Sequence, residues 1–491
     1  MRTSGVLLPI FSLSSPYGIG TIGKAAYDWV DFLSSADQTF WQVLPVGPTS
    51  YGDSPYQSFS AFDGNPYFID LDILCSKGLL RKEECEAYQW DTAINKVDYA
   101  LLYKFRFNLL KKAFMRFSDV SALTQFSNNN PWLTDYTLYM AIKGHQGGTS
   151  WMEWPEPLRT RDCSAIAQIQ SSLHEEITFY TFLQYEFHEE WLQLKRYAKK
   201  KGVKVIGDLP IYVALDSADV WANPDIFMLD ENRCPVEVAG CPPDAFSADG
   251  QLWGNPLYRW DFMKTTGYSW WLKRLAAAFA MFDVVRIDHF RGFESFYAIP
   301  FGDKTARNGC WHKGPGIDFI AAIHREFIKA PIIAEDLGFL TPEVKKLLAV
   351  SGFPGMKVLQ FAFDTREKND YMPSSYKKHC VVYTATHDND TTAGWLRSAP
   401  KKDIALAREY LQCKGCSISK CTRAFVCTAL ASSADTAIIP LQDWLALDSA
   451  ARINTPSTLG RNWQWRMDAF QLTEKLSSEM ATLSKTYQRN R

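Results

Sequence analysis

The sequence lacks an apolar run long enough to cross a membrane, and it has no excess of charge of either sign. Its 491 residues carry a formal net charge of -1, which excludes the basic surface typical of nucleic-acid-binding proteins. The first residues, Met1 to Gly5, lack the charged and apolar segments of a secretory signal. We therefore expect a cytoplasmic protein that binds neither nucleic acid nor membrane.

The cysteines lack the spacing of a disulfide framework or of a zinc site. There are 11 of them, scattered along the chain, which is typical of free thiols in a reducing compartment. The closest approach to a zinc motif is Cys413-Lys-Gly-Cys416, with Cys421 and Cys427 nearby, but no second pair and no histidine accompany it. The common metal and phosphate motifs are also missing. We expect no metal and no cofactor.

One glycine pattern is typical of dinucleotide binding, but its surroundings are not. The run 18–23 has the spacing Gly-x-Gly-x-x-Gly, yet Pro9 and Pro16 break the strand that should precede it. The next strand-like run, 39–45, ends without the acidic residue that would hold a ribose. We predict a glycine turn leading into a helix over 25–33, and no NAD(P) binding.

Aromatic side chains are abundant, with 17 Trp and 22 Tyr, and most of them are expected in the core. The loop 47–57 combines polar and aromatic residues without a regular pattern, which is typical of a ligand-binding loop. From about 76 to 201 the periodicity becomes helical, notably over 99–117 and 174–201, and predicts an inserted helical subdomain. A second insertion, at about 225–260, is expected to form a loop over the functional site.

Strand, loop and helix alternate in the rest of the chain. The predicted strands cover 204–208, 284–288, 331–335, 358–363, 381–386 and 436–440. The predicted helices between them cover 268–279, 317–329, 342–350 and 402–411. Such alternation implies a parallel sheet, closed into a barrel or doubly wound. Acidic residues end several strands rather than one, which favours a (β/α)8 TIM barrel with its site at these strand ends.

The run 282–292 is an apolar strand that contains two opposite charges. The period of two places Val284, Arg286, Asp288 and Phe290 on one face. A buried charge needs a partner, and the Arg286 cation would keep Asp288 ionised. Two interpretations follow: an ion pair that only stabilises the fold, or a carboxylate prepared for nucleophilic attack.

Two further strand ends carry carboxylates. The segment 334–338 contains Glu335 and Asp336, and Asp388 follows His387. Two carboxyl groups about 5–5.5 Å apart perform retaining glycosidic chemistry, one as nucleophile and the other as proton donor. An ionised Asp288 nearby would raise the pKa of the donor. The strand pattern alone does not decide between Glu335 and Asp336.

The chain resembles the amylomaltases or disproportionating enzymes, the 4-alpha-glucanotransferases of the alpha-amylase clan. The resemblance runs almost end to end through motifs in the same order. These motifs are Ser4-Gly-Val-Leu-Leu-Pro9, Tyr17-Gly-Ile-Gly20, Trp41-Gln-Val-Leu-Pro45, Gly52-Asp-Ser-Pro-Tyr-Gln57, Gly207-Asp-Leu-Pro-Ile-Tyr212, Pro242-Pro-Asp244, Gly250-Gln-Leu-Trp-Gly-Asn-Pro-Leu-Tyr258, Arg286-Ile-Asp-His289, Lys313-Gly-Pro-Gly316, Ala334-Glu-Asp-Leu-Gly338, Thr386-His-Asp-Asn389 and Asn462-Trp-Gln-Trp-Arg466.

This resemblance implies a (β/α)8 barrel with insertions that needs no cofactor and moves alpha-1,4-glucan segments between chains. The implied partners are alpha-1,4-glucans and maltooligosaccharides, with glucose as an acceptor. By position, Asp288 is implied as nucleophile, Glu335 as general acid/base and Asp388 as transition-state stabiliser. The residues implied to contact substrate are Tyr56, Asp208, Trp253, Arg286, His289, His387 and Asn454.

The chain departs from the family pattern at three positions. Ala245 stands where tyrosine is usual, Ser457 where glycine is usual, and Asp63 where a small residue is usual. The carboxylate trio is unaffected, so these departures bear on acceptor affinity, chain length and the ratio of transfer to hydrolysis. The chain also begins at the barrel motif, and we expect no additional N-terminal carbohydrate-binding domain.

Two alternatives share the same barrel. An alpha-glucan hydrolase would use the same trio with water as the acceptor, and an inactive glucan-binding barrel would use none of it. Transfer requires that water be outcompeted at the acceptor side, and the aromatic residues Tyr56, Phe246 and Trp253 suit that purpose. The sequence therefore favours the glucanotransferase.

Overall fold

The computed structural model describes residues 2–243, 247–338, 340–366, 370–458 and 460–490. The strands in these ranges, numbered along the chain, are β1 (Thr3–Leu7), β2 (Phe40–Gln42), β3 (Lys204–Leu209), β4 (Glu237–Cys241), β5 (Gln251–Pro256), β6 (Val284–Ile287), β7 (Ser295–Pro300), β8 (Cys310–Lys313), β9 (Ile332–Ala334), β10 (Gly355–Val358), β11 (Cys380–Tyr383) and β12 (Thr436–Pro440).

The α-helices of the same ranges are numbered in the same way. They are α1 (Lys24–Ser35), α2 (Leu71–Ser76), α3 (Lys82–Glu86), α4 (Tyr99–Arg116), α5 (Val120–Asn129), α6 (Leu133–His145), α7 (Glu156–Arg159), α8 (Cys163–Ser172), α9 (His174–Lys200), α10 (Ala218–Ala222), α11 (Trp260–Thr265), α12 (Ser269–Met281), α13 (Gly316–Glu326), α14 (Pro342–Ser351), α15 (Thr392–Ser398), α16 (Lys401–Tyr410), α17 (Ile418–Ala431), α18 (Leu441–Trp444) and α19 (Glu474–Thr486). None of these described helices is both long and apolar enough to span a membrane.

Eight parallel strands form the barrel. Their order in the sheet is β10-β11-β12-β1-β2-β3-β6-β9, so neighbours in the barrel are also consecutive barrel strands in the chain. The two ends of this order meet where the Ala334 N–H, in β9, donates a 2.9 Å hydrogen bond to the carbonyl of Pro354, just before β10. The predicted (β/α)8 barrel is therefore confirmed.

The barrel is filled by side chains that point inward from its strands. The buried members of this interior cluster are Leu7, Ile206, Ile333, Met356, Val358, Val381, Tyr383 and Ile438, with Phe40 and Val284 packed against them. Parallel strands are buried on both faces, and a separate, larger core therefore lies between these strands and the surrounding helices. The charged side chain of Arg286 borders this interior cluster, with its Nε 3.4 Å from the sulfur of Met356.

Helices α3 to α9 occupy most of the segment predicted as a helical subdomain. The long helix α9 packs against α4, α5 and α6 of this segment and also against α1 and β3 of the barrel. The limits of an inserted unit at about 76–201 stay a prediction. The segment 225–260, expected as a loop, contains β4 and β5, which join β7 and β8 in a four-stranded antiparallel sheet of order β5-β4-β7-β8.

Two strand predictions are wrong in detail. The strand expected over 358–363 is β10, which ends at Val358 and is followed by a short 3-10 helix, Leu359–Phe363. This strand begins earlier than expected, at Gly355, which pairs with Cys380 in the barrel. The run 282–292 is also not one strand: β6 ends at Ile287, and His289 adopts a left-handed conformation with φ 52°. Phe290 therefore does not continue the face of Arg286.

Candidate active site

The carboxylates predicted from the strand ends meet at one end of the barrel. Asp208 is the penultimate residue of β3, Asp288 directly follows β6, and Glu335 directly follows β9. Asp388 comes a few residues after β11. Because all eight strands are parallel, these four positions share the C-terminal rim, where barrels of this kind place their sites.

Arg286 links two of these carboxylates. Its Nη1 donates to Asp208 Oδ1 at 2.6 Å and its Nη2 to Asp288 Oδ1 at 2.9 Å. Asp208 and Arg286 are register partners in β3 and β6, so the backbone itself sets them side by side. The Arg286 and Asp208 side chains are 4% and 0% exposed, whereas that of Asp288 is 29% exposed. The guanidinium thus compensates the charge of Asp288 while an oxygen of that carboxylate can reach a ligand.

Glu335 is buried beside Asp288 and has its carboxylate held by the backbone. The N–H groups of His289 and Leu337 donate to Oε2 and Oε1, each at 2.7 Å. Burial raises the pKa of Glu335 to about 8, and the negative charge of Asp288 adds to this rise, while Arg286 and the two N–H donors oppose it. Glu335 is therefore protonated at neutral pH, as a general acid must be.

The neighbouring Asp336 serves the barrel instead. Its Oδ1 accepts a 2.6 Å hydrogen bond from the Met356 N–H in β10. A Cβ added to Gly355 would lie 2.7 Å from the same carboxylate, which explains why a glycine stands there. The charges of Asp288 and Arg286 act on Glu335, whereas the charges that act on Asp336 are those of Lys357 and Lys345, so Asp336 faces away from Asp288. The geometry thus favours Glu335, a choice that the strand pattern left open.

Asp388 is oriented by two side chains and remains partly open to solvent. Nδ2 of Asn454 donates to Asp388 Oδ1 at 2.6 Å, and Nε2 of His387 lies 3.4 Å from Oδ2. The Asp388 side chain is 44% exposed, against 3% for His387. The structure therefore places Asn454, which the resemblance implied as a substrate contact, directly on a carboxylate.

Three rings form one wall of the site. Tyr56 stacks on His387 with ring centroids 5.4 Å apart and an angle of 19°, and Trp463 lies 5.8 Å from Tyr56 and 6.0 Å from His387. The Tyr56 hydroxyl donates to Asp208 Oδ2 at 2.6 Å and lies 2.9 Å from His387 Nε2. This hydroxyl therefore connects the Asp208–Arg286 pair to the stacked ring of His387.

Trp253 and His289 form a second aromatic contact at the rim. Trp253 comes from β5 of the antiparallel sheet, and its ring meets that of His289 edge-on, with centroids 4.9 Å apart at 89°. Removal from solvent lowers the pKa of His289 to about 4, so its imidazole is neutral at neutral pH. A neutral ring next to two carboxylates can donate to or accept from a sugar hydroxyl.

Two of the three positions at which the chain departs from the family pattern lie within the described residues. Ser457 has φ 62°, a left-handed conformation that glycine adopts without strain. Asp63 is buried and accepts a 3.1 Å hydrogen bond from Ser58, and burial raises its pKa. Ala245 lies outside the described residues, as does Phe246.

Two residues of the site were missed as individual candidates. Arg452 donates through Nη2 to the carbonyl of Asp388 at 2.7 Å and through Nε to the carbonyl of Asn454 at 2.7 Å. Nothing in the sequence near Arg452 indicates this role. Trp463 belongs to the family motif at residues 462–466, and that motif could have identified it as a site residue.

The arrangement provides two carboxyl groups in different states. Asp288 faces a guanidinium, and Glu335, held beside it through the His289 backbone, is protonated at neutral pH. One anionic and one acidic carboxyl group are the two reagents of retaining glycosidic chemistry. A third carboxylate, Asp388, completes the rim.

Comparison with known proteins agrees with this chemistry. A family model for 4-alpha-glucanotransferase matches residues 8–473. The chain is 45% identical to a 4-alpha-glucanotransferase of Clostridium butyricum over 485 residues, which cover 98% of this chain and 99% of the relative. It is also 45% identical to that of Thermus thermophilus over 500 residues, covering 99% of each.

A solved structure extends the match to three dimensions. The amylomaltase from Streptococcus agalactiae in complex with acarbose superimposes with a TM-score of 0.97 at 40% identity, and the match covers 100% of both chains. The resemblance noted in the sequence is thereby confirmed. The chain belongs to the 4-alpha-glucanotransferase family, and it is a glycosyltransferase that acts on alpha-glucans.

Proposed function

We propose that Asp288 is the nucleophile of the transfer reaction, that Glu335 is its general acid/base, and that Asp388 stabilises the transition state. The observation that carries this assignment is the difference between the two adjacent carboxyl groups. Asp288 Oδ1 is 2.9 Å from the Arg286 guanidinium, whereas burial raises the pKa of Glu335 to about 8. Attack needs an anion and leaving-group departure needs a proton, and these residues supply one each.

In the first step, an oxygen of Asp288 attacks C1 of the donor glucosyl unit. The C1–O4 bond to the reducing-side glucan breaks, and O4 takes the proton of Glu335. This leaves a glycosyl group linked to Asp288 and an ionised Glu335. Asp388, oriented by Asn454 through a 2.6 Å hydrogen bond, can bind sugar hydroxyls and stabilise the positive charge that develops on the ring.

The second step is the reverse of the first, with an acceptor glucan in place of the glucan that has left. Glu335 removes the proton of the 4-hydroxyl of an acceptor glucan, whose oxygen attacks C1 and releases Asp288. The donor segment now extends the acceptor, and Glu335 is protonated again. Both inversions take place at the same carbon, so the alpha configuration is retained.

The remaining predicted contacts are proposed to hold the donor chain. The Tyr56 hydroxyl contacts both Asp208 and His387. Arg286 donates a further hydrogen bond to Asp208. The rings of Trp253 and His289 meet at the same rim and offer flat faces for a sugar. Residues fixed by such contacts lose little freedom on binding, which favours an oriented substrate.

Incubation of the purified protein with maltotriose tests the proposed reaction. Glucan transfer predicts a ladder of longer maltooligosaccharides together with free glucose, because maltotriose serves as both donor and acceptor. Added glucose should shorten the average product, since it is proposed to be an acceptor. Glucose and maltose without longer products would instead identify a hydrolase with the same three carboxylates.

We assign residues at about 76–201 and 225–260 to insertions around a single catalytic barrel that extends over residues 1–491, and we place the enzyme in the cytoplasm. Cys413 and Cys416, whose spacing comes nearest to a paired motif, are free thiols, which supports a reducing compartment. Cell fractionation with an antibody tests the location, and recovery in a secreted fraction would refute it.

A further inference from the structure

Three metal-binding side chains meet on the antiparallel sheet, away from the carboxylate rim. Glu237 lies in β4, and Cys310 and His312 lie in β8, with β7 between the two strands. The Glu237 carboxylate, the Cys310 thiol and the His312 imidazole each offer a ligand atom, and all three atoms lie within 4.8 Å of one another. Within the described ranges, this is the one group of its kind.

The strand register explains why the three side chains share a face. Glu237 is opposite Pro300 of β7, and Cys310 is opposite Ala298 of the same strand. Opposed residues point to the same side, and so do residues two apart. His312 is therefore on this face too. Ala298 carries only a methyl group, which leaves room for Glu237 to reach across β7.

One nitrogen of His312 is the centre of the group. Its Nε2 lies 3.2 Å from Cys310 Sγ and 3.5 Å from Glu237 Oε2. Phe296 stacks on the imidazole with centroids 5.6 Å apart at 14°, which fixes the plane of the ring. A neutral or charged imidazole has at most one proton on this nitrogen, so it cannot form a linear hydrogen bond to both neighbours. A cation between the three atoms would satisfy all of them.

The separations suit zinc. A tetrahedral zinc ion with a Zn–S bond of about 2.3 Å and a Zn–N bond of about 2.0 Å holds its ligand atoms about 3.3–3.6 Å apart. Tetrahedral angles set sulfur and nitrogen about 3.6 Å apart and nitrogen and oxygen about 3.3 Å apart. The observed Sγ–Nε2 distance of 3.2 Å and Nε2–Oε2 distance of 3.5 Å each differ from these values by a few tenths of an ångström. Thiolate and imidazole select zinc and neighbouring transition metals over magnesium or calcium, which prefer oxygen ligands.

We propose that Glu237, Cys310 and His312 bind one zinc ion. The Cys310 and Glu237 ligands bind as anions and His312 through a neutral Nε2, and solvent supplies the fourth ligand, because Cys310 is exposed and the His312 side chain is 40% exposed. The ion would connect β4 to β8 across β7. It would thus stabilise the sheet that carries Trp253, without entering the glucan reaction.

Cobalt titration of the full-length chain, stripped of metal with a chelator, tests this site. Co²⁺ bound to a thiolate gives a near-ultraviolet charge-transfer band. We expect this band to saturate at one equivalent per chain, to disappear when Zn²⁺ is added, and to be unaffected by Mg²⁺. Zn²⁺ should also raise Tm, because it binds the folded chain.

Matched variants locate the signal. Cys310→Ser and His312→Asn should abolish the band and the Zn²⁺-dependent rise in Tm, with maltotriose transfer retained as evidence of correct folding. Cys163→Ser, which alters another exposed cysteine, and Cys416→Ser, which alters the Cys413–Cys416 pair, should leave both signals intact. A wild-type chain without the band, a band that survives Cys310→Ser, or one lost in Cys416→Ser would overturn the proposal.

Discussion

The backbone N–H of His289 donates a 2.7 Å hydrogen bond to Oε2 of Glu335. His289 directly follows Asp288, and its left-handed φ of 52° turns the chain that follows out of the direction of β6. The proposed acid/base is therefore held by the backbone of the proposed nucleophile's own turn. Their relative position depends on two barrel strands rather than on flexible side chains, as a reaction that uses both groups on one glycosidic bond requires.

The pH dependence should reveal the proton on Glu335. Burial and the charge of Asp288 raise the pKa of this group to about 8, so the acid form is present below that pH and is lost as the pH rises through it. We expect kcat/KM for maltotriose to fall on the alkaline side with a midpoint near this value. A profile that is flat to a much higher pH would show that another group donates the proton.

Glu335→Gln should distinguish donors whose leaving group needs a proton from donors whose leaving group does not. Loss of a general acid reduces the rate by about 10²–10⁴-fold, and transfer from maltotriose should fall accordingly. A glycosyl fluoride needs no proton to leave, so the first step from that donor should persist in the variant and lose its alkaline limb. Equal losses with both donors would contradict the assignment.

Tyr56→Phe removes one hydroxyl and keeps the stacked ring. The lost hydrogen bonds run to Asp208 at 2.6 Å and to His387 at 2.9 Å. A hydrogen bond to a charged group contributes about 1.5–3 kcal/mol, and we expect kcat/KM to fall by about tenfold or more. The control is Tyr197→Phe, which deletes a 2.7 Å hydrogen bond to Asp31 outside the site. Equal kinetics in the two variants would argue against a role for Tyr56.

Arg286→Met should destabilise the fold as well as the reaction. It would leave the fully buried Asp208 without the cation 2.6 Å away, and breaking a buried pair costs about 3–5 kcal/mol of the free energy of unfolding. Arg307→Met breaks an ion pair with Asp249 whose side chains are 61% and 60% exposed, and should cost about 1 kcal/mol or less. Denaturant unfolding measures both. Similar losses would mean that the buried pair does not support the barrel.

The pattern of apolar strands that end in acidic residues made the barrel and the position of its site predictable. Apolar strands that end in carboxylates are visible in the sequence, and parallel topology brings such ends together whatever the loop lengths. The run 282–292 was the clearest case, since Arg286 and Asp288 do pair. The left-handed turn at His289 was not predictable, because residues other than glycine seldom adopt this conformation.

Other features depended on contacts that are distant in the chain. Gly355 is a typical turn residue in isolation, and only the carboxylate of Asp336 requires a glycine within β10. Arg452 reaches Asp388 over 64 residues. The zinc ligands proposed above come from two strands that do not pair with each other, and local spacing therefore drew attention to Cys413–Cys416 instead.

Trapping the glycosyl-enzyme tests the central assignment most directly. A fluorinated maltooligosaccharide donor that forms the intermediate faster than it breaks down would label the nucleophile, and peptide mass spectrometry would locate the label. We predict one glycosyl group per chain on Asp288, and none in Asp288→Asn. A label on Asp388 or on another residue, or labelling that persists in Asp288→Asn, would contradict the account.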